Sequence, residues 1–326
     1  MRLRSLTPLL VVGALAALLP TACSSFDYLT EVGSTQPSAA DCGGCHVEIY
    51  EEFRSSAHAQ AWTRPSFVAA SGDRSITDCL GCHAPSTVFG EGQPELRAAR
   101  RDEGVTCLSC HFDDGAMVGP IESTALVDPH PIAVSRTRYR TSKLCGKCHE
   151  GTYREWVAAP RRGGKTCQDC HMGRVTRKAT QGTSTISNLL VSFEDEFEGR
   201  RHTFHVPVAG TIYDVLTALI SGVQRDEEML RCDLILTNEL PHLIPTGDFG
   251  YRWVKIKVEA RSPSGAPLAT SETSLFKELG DALVPTESRS FPQSFPPETA
   301  SVRVLVTTGS QSGPRATIFD QNLLIP

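Results

Sequence analysis

The chemistry open to this chain is concentrated in five copies of one short pattern: Cys42-Gly-Gly-Cys45-His46, Cys79-Leu-Gly-Cys82-His83, Cys107-Leu-Ser-Cys110-His111, Cys145-Gly-Lys-Cys148-His149 and Cys167-Gln-Asp-Cys170-His171. Two thiols separated by two residues, with an imidazole directly after the second, suit covalent attachment of haem c. The thiols add to the two vinyl groups, and the histidine reaches the iron from the same side. Ten of the twelve cysteines lie in these motifs. Two other uses of paired cysteines fit less well. Zinc ribbons pair such motifs but need no His directly after the second Cys. A disulfide framework has no reason to repeat one two-residue spacing five times.

Each iron needs a second axial ligand or keeps an open position. Of ten histidines, five belong to the motifs and five are spare: His58, His130, His202, His205 and His242. One spare imidazole per motif is the count a set of bis-histidine haems requires. His202 and His205 are three apart, so on a helix they share a face and serve two neighbouring haems or one. Besides Met1 the only methionines are Met117, Met172 and Met229. Met172 follows a motif histidine and cannot cross its own haem. His/His ligation is therefore expected to dominate, with lower potentials than His/Met ligation would give.

The elements that must hold these groups are sparse in residues 41–175. Val47, Ile49, Tyr50, Phe53 and Ala57 recur at helical spacing, predicting a helix over 46–60 that presents His58 near its end. Residues 66–78 read as irregular, and Pro94 as the start of a helix through Arg101. Residues 112–143 read as loop, and 153–157 as about one helical turn before Pro160. The motif starts are unevenly spaced, which speaks against a solenoid. Roughly 30 residues per haem cannot enclose each one in a protein core, so the haems are expected to pack against each other, with no fold in their absence. Residues 176–228 read as a linker carrying His202, His205 and a helix over 212–221.

From residue 229 the period changes to two. Alternation over 230–237, 253–258, 267–276, 286–291 and 301–308, with a turn at Pro263-Ser-Gly265, predicts an antiparallel β-sandwich with Cys232 facing its core. Ser290 to Thr299 reads as loop or contact surface. The fold class expected is α+β: a loop-rich, sparsely helical multihaem domain, then a β-sandwich-like domain over 229–326.

The first 22 residues read as an export signal, with Arg2 and Arg4 before an apolar run from Leu9 to Leu19. Leu19-Pro20-Thr21-Ala22-Cys23 resembles a bacterial lipobox, which makes Cys23 a lipidation site and residues 23–40 a tether. The expected location is periplasmic or at the outer membrane or cell surface, with the membrane reached through the lipid anchor. The chain carries a net charge of −5, and loss of residues 1–22 removes two arginines and no acid, leaving −7. Such a surface speaks against nucleic acid as a partner and suits a basic redox protein.

Cys42 to His46 together with Ile49, Ser56, His58 and Ala59 resembles the opening module of the cytochrome c-554 (c-552/4) multihaem family. That resemblance implies that Ser56-Ala57-His58-Ala59 supplies an axial ligand. The stretch from Cys145 to Met172 is similar to the paired motifs of these proteins. Pro241-His242-Leu-Ile-Pro245-Thr246-Gly247 resembles a recurring Gly-His-x-x-Pro-Thr-Gly segment that introduces a β-domain and sets its histidine beside a haem.

Three functions remain open on the sequence. The first is single-electron transfer between redox partner proteins, including other multihaem cytochromes, through five covalently bound haems c. The second is reduction or oxidation of a small nitrogen or sulfur compound at one haem with an open position. The third is a subunit role in an extracellular cytochrome assembly.

Overall fold

The computed structural model describes residues 37–125, 128–160, 164–182, 185–204, 214–247, 249–310 and 315–326. The export signal, Cys23 and His205 lie outside these residues.

The motif-bearing part is built from short helices. They are α1 (Ala39–Gly43), α2 (Val47–Arg54), α3 (Pro65–Ala70), α4 (Thr77–His83), α5 (Cys107–His111), α6 (Arg136–Tyr139), α7 (Glu150–Ala158), α8 (Cys167–His171) and α9 (Thr185–Val191). Capping boxes start three of the motif turns. Ser38 and Asp41 cap each other at α1, Thr106 and Ser109 at α5, and Thr166 and Asp169 at α8. Each box satisfies two backbone N–H groups that a one-turn helix would leave open. Five short strands complete this part: β1 (Phe112–Asp113), β2 (Ala116–Gly119), β3 (Ile132–Val134), β4 (Arg174–Arg177) and β5 (Phe197–Arg200).

Seven longer strands follow: β6 (Leu216–Arg225), β7 (Leu230–Asn238), β8 (Trp253–Arg261), β9 (Pro267–Phe276), β10 (Ser288–Phe295), β11 (Ser301–Gly309) and β12 (Ala316–Leu324). They form two antiparallel sheets, ordered β10-β7-β6 and β12-β11-β8-β9. Alternate residues of each sheet meet in one core. Leu230, Leu234 and Leu236 of β7 are fully buried, as are Val302, Val304 and Val306 of β11. Cys232 faces this core, as its position in the alternation requires. The protein is thus α+β, with short helices around the motifs and a C-terminal antiparallel sandwich.

Several sequence expectations need correction. The helix over 46–60 stops at Arg54, and His58 sits in the turns that follow. Residues 66–78 are not irregular throughout, because Pro65 opens α3 from its first position. Residues 94–100 are not helical. Residues 94–97 run against 84–86, with Ser86 N–H donating to the Glu95 carbonyl and Arg97 N–H to that of Ala84, at 2.9 and 2.8 Å, before the chain bends at 98–99. Residues 112–143, read as loop, hold β1 to β3 and α6.

The predicted helix over 212–221 is replaced by β6 from Leu216 onward, which pairs with β7. Leu216, Ala218 and Ile220 also fit a period of two, and pairing with a buried neighbour decides the outcome. His202 does not begin a helix, since Phe204 has φ +49°. Much of 290–299 is strand: Phe291 and Phe295 of β10 are buried. β12 answers to no sequence expectation.

Candidate functional site

Motif turns set the histidines. At His46, His83 and His111 the ring Nδ1 lies 2.8, 2.7 and 2.8 Å from the carbonyls of Ala179, Ala61 and Val118. A carbonyl accepts only a proton, so each Nδ1 is the N–H and each Nε2 keeps a free lone pair. This is how a metal-ligating imidazole is oriented from behind. Around these contacts the chain is closely tied. Buried Glu194 accepts from the backbone N–H groups of Ala179 and Thr180, at 3.0 and 3.3 Å, and so holds the carbonyl behind His46. The Tyr139 hydroxyl reaches the carbonyls of Cys110 and Val118, at 2.7 and 2.8 Å, and its ring stacks on His111. The His83 ring stacks on Phe67, with centroids 3.7 Å apart.

Three spare histidines face motif histidines. Ring centroids are 6.3 Å apart for His46 and His130, 6.1 Å for His149 and His58, and 6.1 Å for His111 and His202. An imidazole nitrogen binds a first-row metal at about 2 Å, so two rings on opposite sides of one iron have centres roughly 6 Å apart. The three pairs match that separation. His242 lies within the electrostatic reach of His171. His83 belongs to no such ring pair among the described residues. Its charge acts on His58, which is already paired with His149.

Burial holds His58 down to about 4, with His149 and His83 adding to the effect. Burial, then His111 and Arg177, hold His202 down to about 3. His111, His130 and His242 are lowered by burial as well. These rings are therefore neutral at ordinary pH, the form that binds a metal. His202 Nδ1 is buried and makes no hydrogen bond within the described residues.

All ten motif cysteines, all five motif histidines and His58, His130, His202 and His242 line one connected cavity of about 3540 Å³. This is several times the ~300–1,000 Å³ of a pocket for a single small ligand. Thiols of different motifs meet across it. Cys42 is hydrogen-bonded to Cys107, Cys82 to Cys148 and Cys145 to Cys167. The first and third motifs are thus neighbours, as are the second and fourth, and the fourth and fifth. Among the described residues no group of three or more His, Cys, Asp or Glu side chains is arranged to hold a bare metal ion. A four-ligand zinc site does not fit the arrangement. A planar macrocycle held by two thiols, with an imidazole on each side, does fit.

Residues 41–112 match the family model described as cytochrome c554 and c-prime. Over this module the chain is similar to the cytochrome c554 family of multihaem c-type cytochromes. The fold agrees with the crystal structure of a penta-heme cytochrome c552 from Thermochromatium tepidum. That protein is 18% identical, and the match covers 89% of this chain and 99% of that one at a TM-score of 0.59. The C-terminal domain of wzt also matches, at 11% identity over 35% of this chain and 75% of that one, but its TM-score of 0.21 carries no argument. No curated protein matches the chain.

Several residues that build this site carry no signal in the sequence. Buried Arg97 donates to the carbonyls of Pro85, Ala99, Arg100 and Gly104, and to the Thr106 and Ser109 hydroxyls, tying the second motif to the third. On β4, Arg177 pairs with Glu52 of α2 at 3.1 Å. On β5, Arg200 pairs with Asp169 of α8. The β4–β5 hairpin therefore joins the first motif to the fifth.

One signal for two further residues was present in the sequence. Residues 42–52 and 145–155 share the pattern Cys-Gly-x-Cys-His-x-x-x-Tyr-x-Glu. The shared glycine is required by packing: a Cβ on Gly43 would lie 2.6 Å from the Tyr50 ring, and one on Gly146 2.7 Å from that of Tyr153. The shared glutamates are Glu52 and Glu155.

Proposed function

We propose that this protein is an exported pentahaem c-type cytochrome that relays single electrons between redox partner proteins, other multihaem cytochromes among them. Haem c, when bound, supplies a one-electron iron couple. The residues of the chain do the rest. Cys42, Cys45, Cys79, Cys82, Cys107, Cys110, Cys145, Cys148, Cys167 and Cys170 would attach five haems. His46, His83, His111, His149 and His171 would each ligate an iron, and His130, His202, His58 and His242 would supply the second imidazole for His46, His111, His149 and His171 in turn. Carbonyls behind the rings of His46, His83 and His111 fix their tautomer. The observation that carries this reading is the separation of 6.1–6.3 Å between three motif histidines and three spare ones.

Residues 41–175 and 229–326 then form one redox unit, because His202 and His242 come from outside the motif stretch. The sequence supports export and a lipid anchor at Cys23, giving a periplasmic, outer-membrane or cell-surface location.

The test is a haem count with the ferric spectrum and electron paramagnetic resonance of the purified protein. Five haems with at least four low-spin are expected. His202→Ala, His58→Ala and His130→Ala should each convert one haem to high spin. An unchanged spectrum for any of them removes that assignment. Cys23→Ala should release the protein from the membrane fraction, and unaltered retention would remove the anchor.

A second reading, reduction or oxidation of a small nitrogen or sulfur compound at one open iron, draws on His83. Its haem has His205 as the remaining spare ligand. If the wild-type protein gives one stoichiometric high-spin signal that His205→Ala leaves unaltered, the open-site reading takes precedence for that haem.

A further inference from the structure

The repeated pattern at 42–52 and 145–155 ends on a glutamate six residues after a motif histidine, and the two glutamates are used alike. Glu52 leaves α2 and is nearly buried, its side chain 12% exposed. It accepts the His202 backbone N–H at 2.9 Å, Arg177 at 3.1 Å and Arg201 at 2.7 Å. Glu155 leaves α7 with its side chain 14% exposed. It accepts the Leu243 backbone N–H at 3.1 Å, the Thr246 hydroxyl at 2.7 Å and Lys277 at 2.7 Å. Each carboxylate thus grips the backbone at, or next to, a histidine that arrives from beyond residue 200. Each also crosses between neighbouring motifs. Glu52 springs from the first motif and holds the ring facing His111 of the third. Glu155 springs from the fourth and holds the segment of His242, which lies within electrostatic reach of His171 of the fifth. The thiol contacts Cys42–Cys107 and Cys145–Cys167 join the same two pairs of motifs.

The surroundings leave these contacts little freedom. Segment 238–246 turns sharply, and fully buried Asn238 holds the turn by donating to the His242 and Leu283 carbonyls, at 2.9 and 3.0 Å. The Thr152 and Thr246 hydroxyls add a contact at 2.9 Å. A nearly buried carboxylate accepting from a backbone N–H and a paired cation is a directional tie, and it is lost outright when the acceptor is removed.

We propose that Glu52 and Glu155 are equivalent positioning residues: each latches a late-arriving segment so that His202 or His242 is presented to the haem of a neighbouring motif. This rests on the ligand assignments proposed above, and it adds a physical cause for why those two histidines reach their sites.

The test uses the full-length, haem-loaded protein. His242→Ala sets the reference, one complete high-spin haem at unchanged haem content. Glu155→Ala should keep all haems attached yet give a fractional high-spin signal and a shifted midpoint potential for that haem alone. Glu155→Gln keeps an amide oxygen for the Leu243 N–H and the Thr246 hydroxyl, and should return most of the low-spin signal. Glu52→Ala and Glu52→Gln should repeat this against His202→Ala. If the alanine variants lose thermal stability while spectra and potentials stay those of wild type, the carboxylates serve stability only and the proposal fails. If Glu155→Ala does not load haem, Thr246→Val decides, since it removes one bond to the same oxygen. A small midpoint shift supports the latch and an unchanged midpoint overturns it. If His242→Ala itself leaves the spectrum unaltered, the ligand assignment has failed and not the latch alone.

Discussion

The two halves of this protein solve the same burial problem with different material. The sandwich fills its interior with its own side chains, with Leu230, Leu234, Leu236, Val302, Val304 and Val306 all fully buried. The motif-bearing half buries few large apolar residues, among them Phe53, Phe67, Leu80 and Leu108, and arranges the rest around a cavity. Its order comes from polar ties: capping boxes, carbonyls behind histidine rings, a buried arginine and buried carboxylates. Such ties are directional but add little net stability each, about 0.5–1.5 kcal/mol. Apolar burial contributes about 25 cal/mol per Å² without regard to direction. One half therefore supplies its own core, and the other encloses a cavity that the proposed haems would fill.

Preventing haem attachment should break this comparison most visibly. Expressed without the attachment machinery, the chain should leave a protease-resistant fragment starting near residue 214, with residues 37–204 digested. Mass spectrometry of the limit digest reads the outcome, and a resistant haem-free N-terminal half would contradict the account.

Next in size is Leu234→Ala, which opens a cavity in the sandwich and should cost about 2–5 kcal/mol. Denaturant unfolding should register this with the haem spectrum of the native state unaltered. Spectral change in native buffer would mean that the sandwich core and the haem sites are coupled. On the other side, Arg97→Met leaves several buried carbonyls and hydroxyls without their donor. It should cost about 2–3 kcal/mol and disturb the spectrum, because it loosens the link between the second and third motifs. A loss of stability with no spectral change would place that link outside the haem environment.

The smallest effect concerns Glu287, on the sandwich side. Burial disfavours its charge, but Arg289 and the Val284 N–H more than compensate, so its carboxyl lies below the usual glutamate range. A depressed acid contributes stability above its unfolded pKa and loses that contribution as pH falls through its folded value. The loss should appear only in acid, below about pH 4, and stay under about 1 kcal/mol for a partly exposed pair. Glu287→Gln should remove that part of the pH dependence. If the acid limb of the stability profile is the same in the variant, the ion pair contributes nothing measurable.

Legibility differed between the halves for physical reasons. The strands of the sandwich were readable wherever one face alone is buried, because burial there imposes a period of two on the sequence, as in 230–238, 253–261 and 301–309. β6 was misread as a helix because Leu216 to Ile220 is apolar enough to satisfy either period, and only pairing with β7 chooses. In the motif half the polar ties carry no period. Arg97 lies in a segment without a turn or helix signal, and its acceptors are carbonyls that any residue provides. The two latch glutamates were within reach of the sequence, through the likeness of 42–52 and 145–155, but nothing local says what they hold.

The sequence by itself determined the chemistry: five thiol pairs, each with an adjacent imidazole, and a matching number of spare histidines. The proposed covalent attachment and proximal ligation depend on residues within five positions of one another, so spacing alone points to them. The tertiary structure decided the rest. It set which spare histidine faces which motif, brought the first motif beside the third and the fourth beside the fifth, and gave Glu52 and Glu155 their hold on segments about 90–150 residues away. Such pairings join distant parts of the chain, and their partners are backbone groups common to every residue, so only the folded chain can select among them.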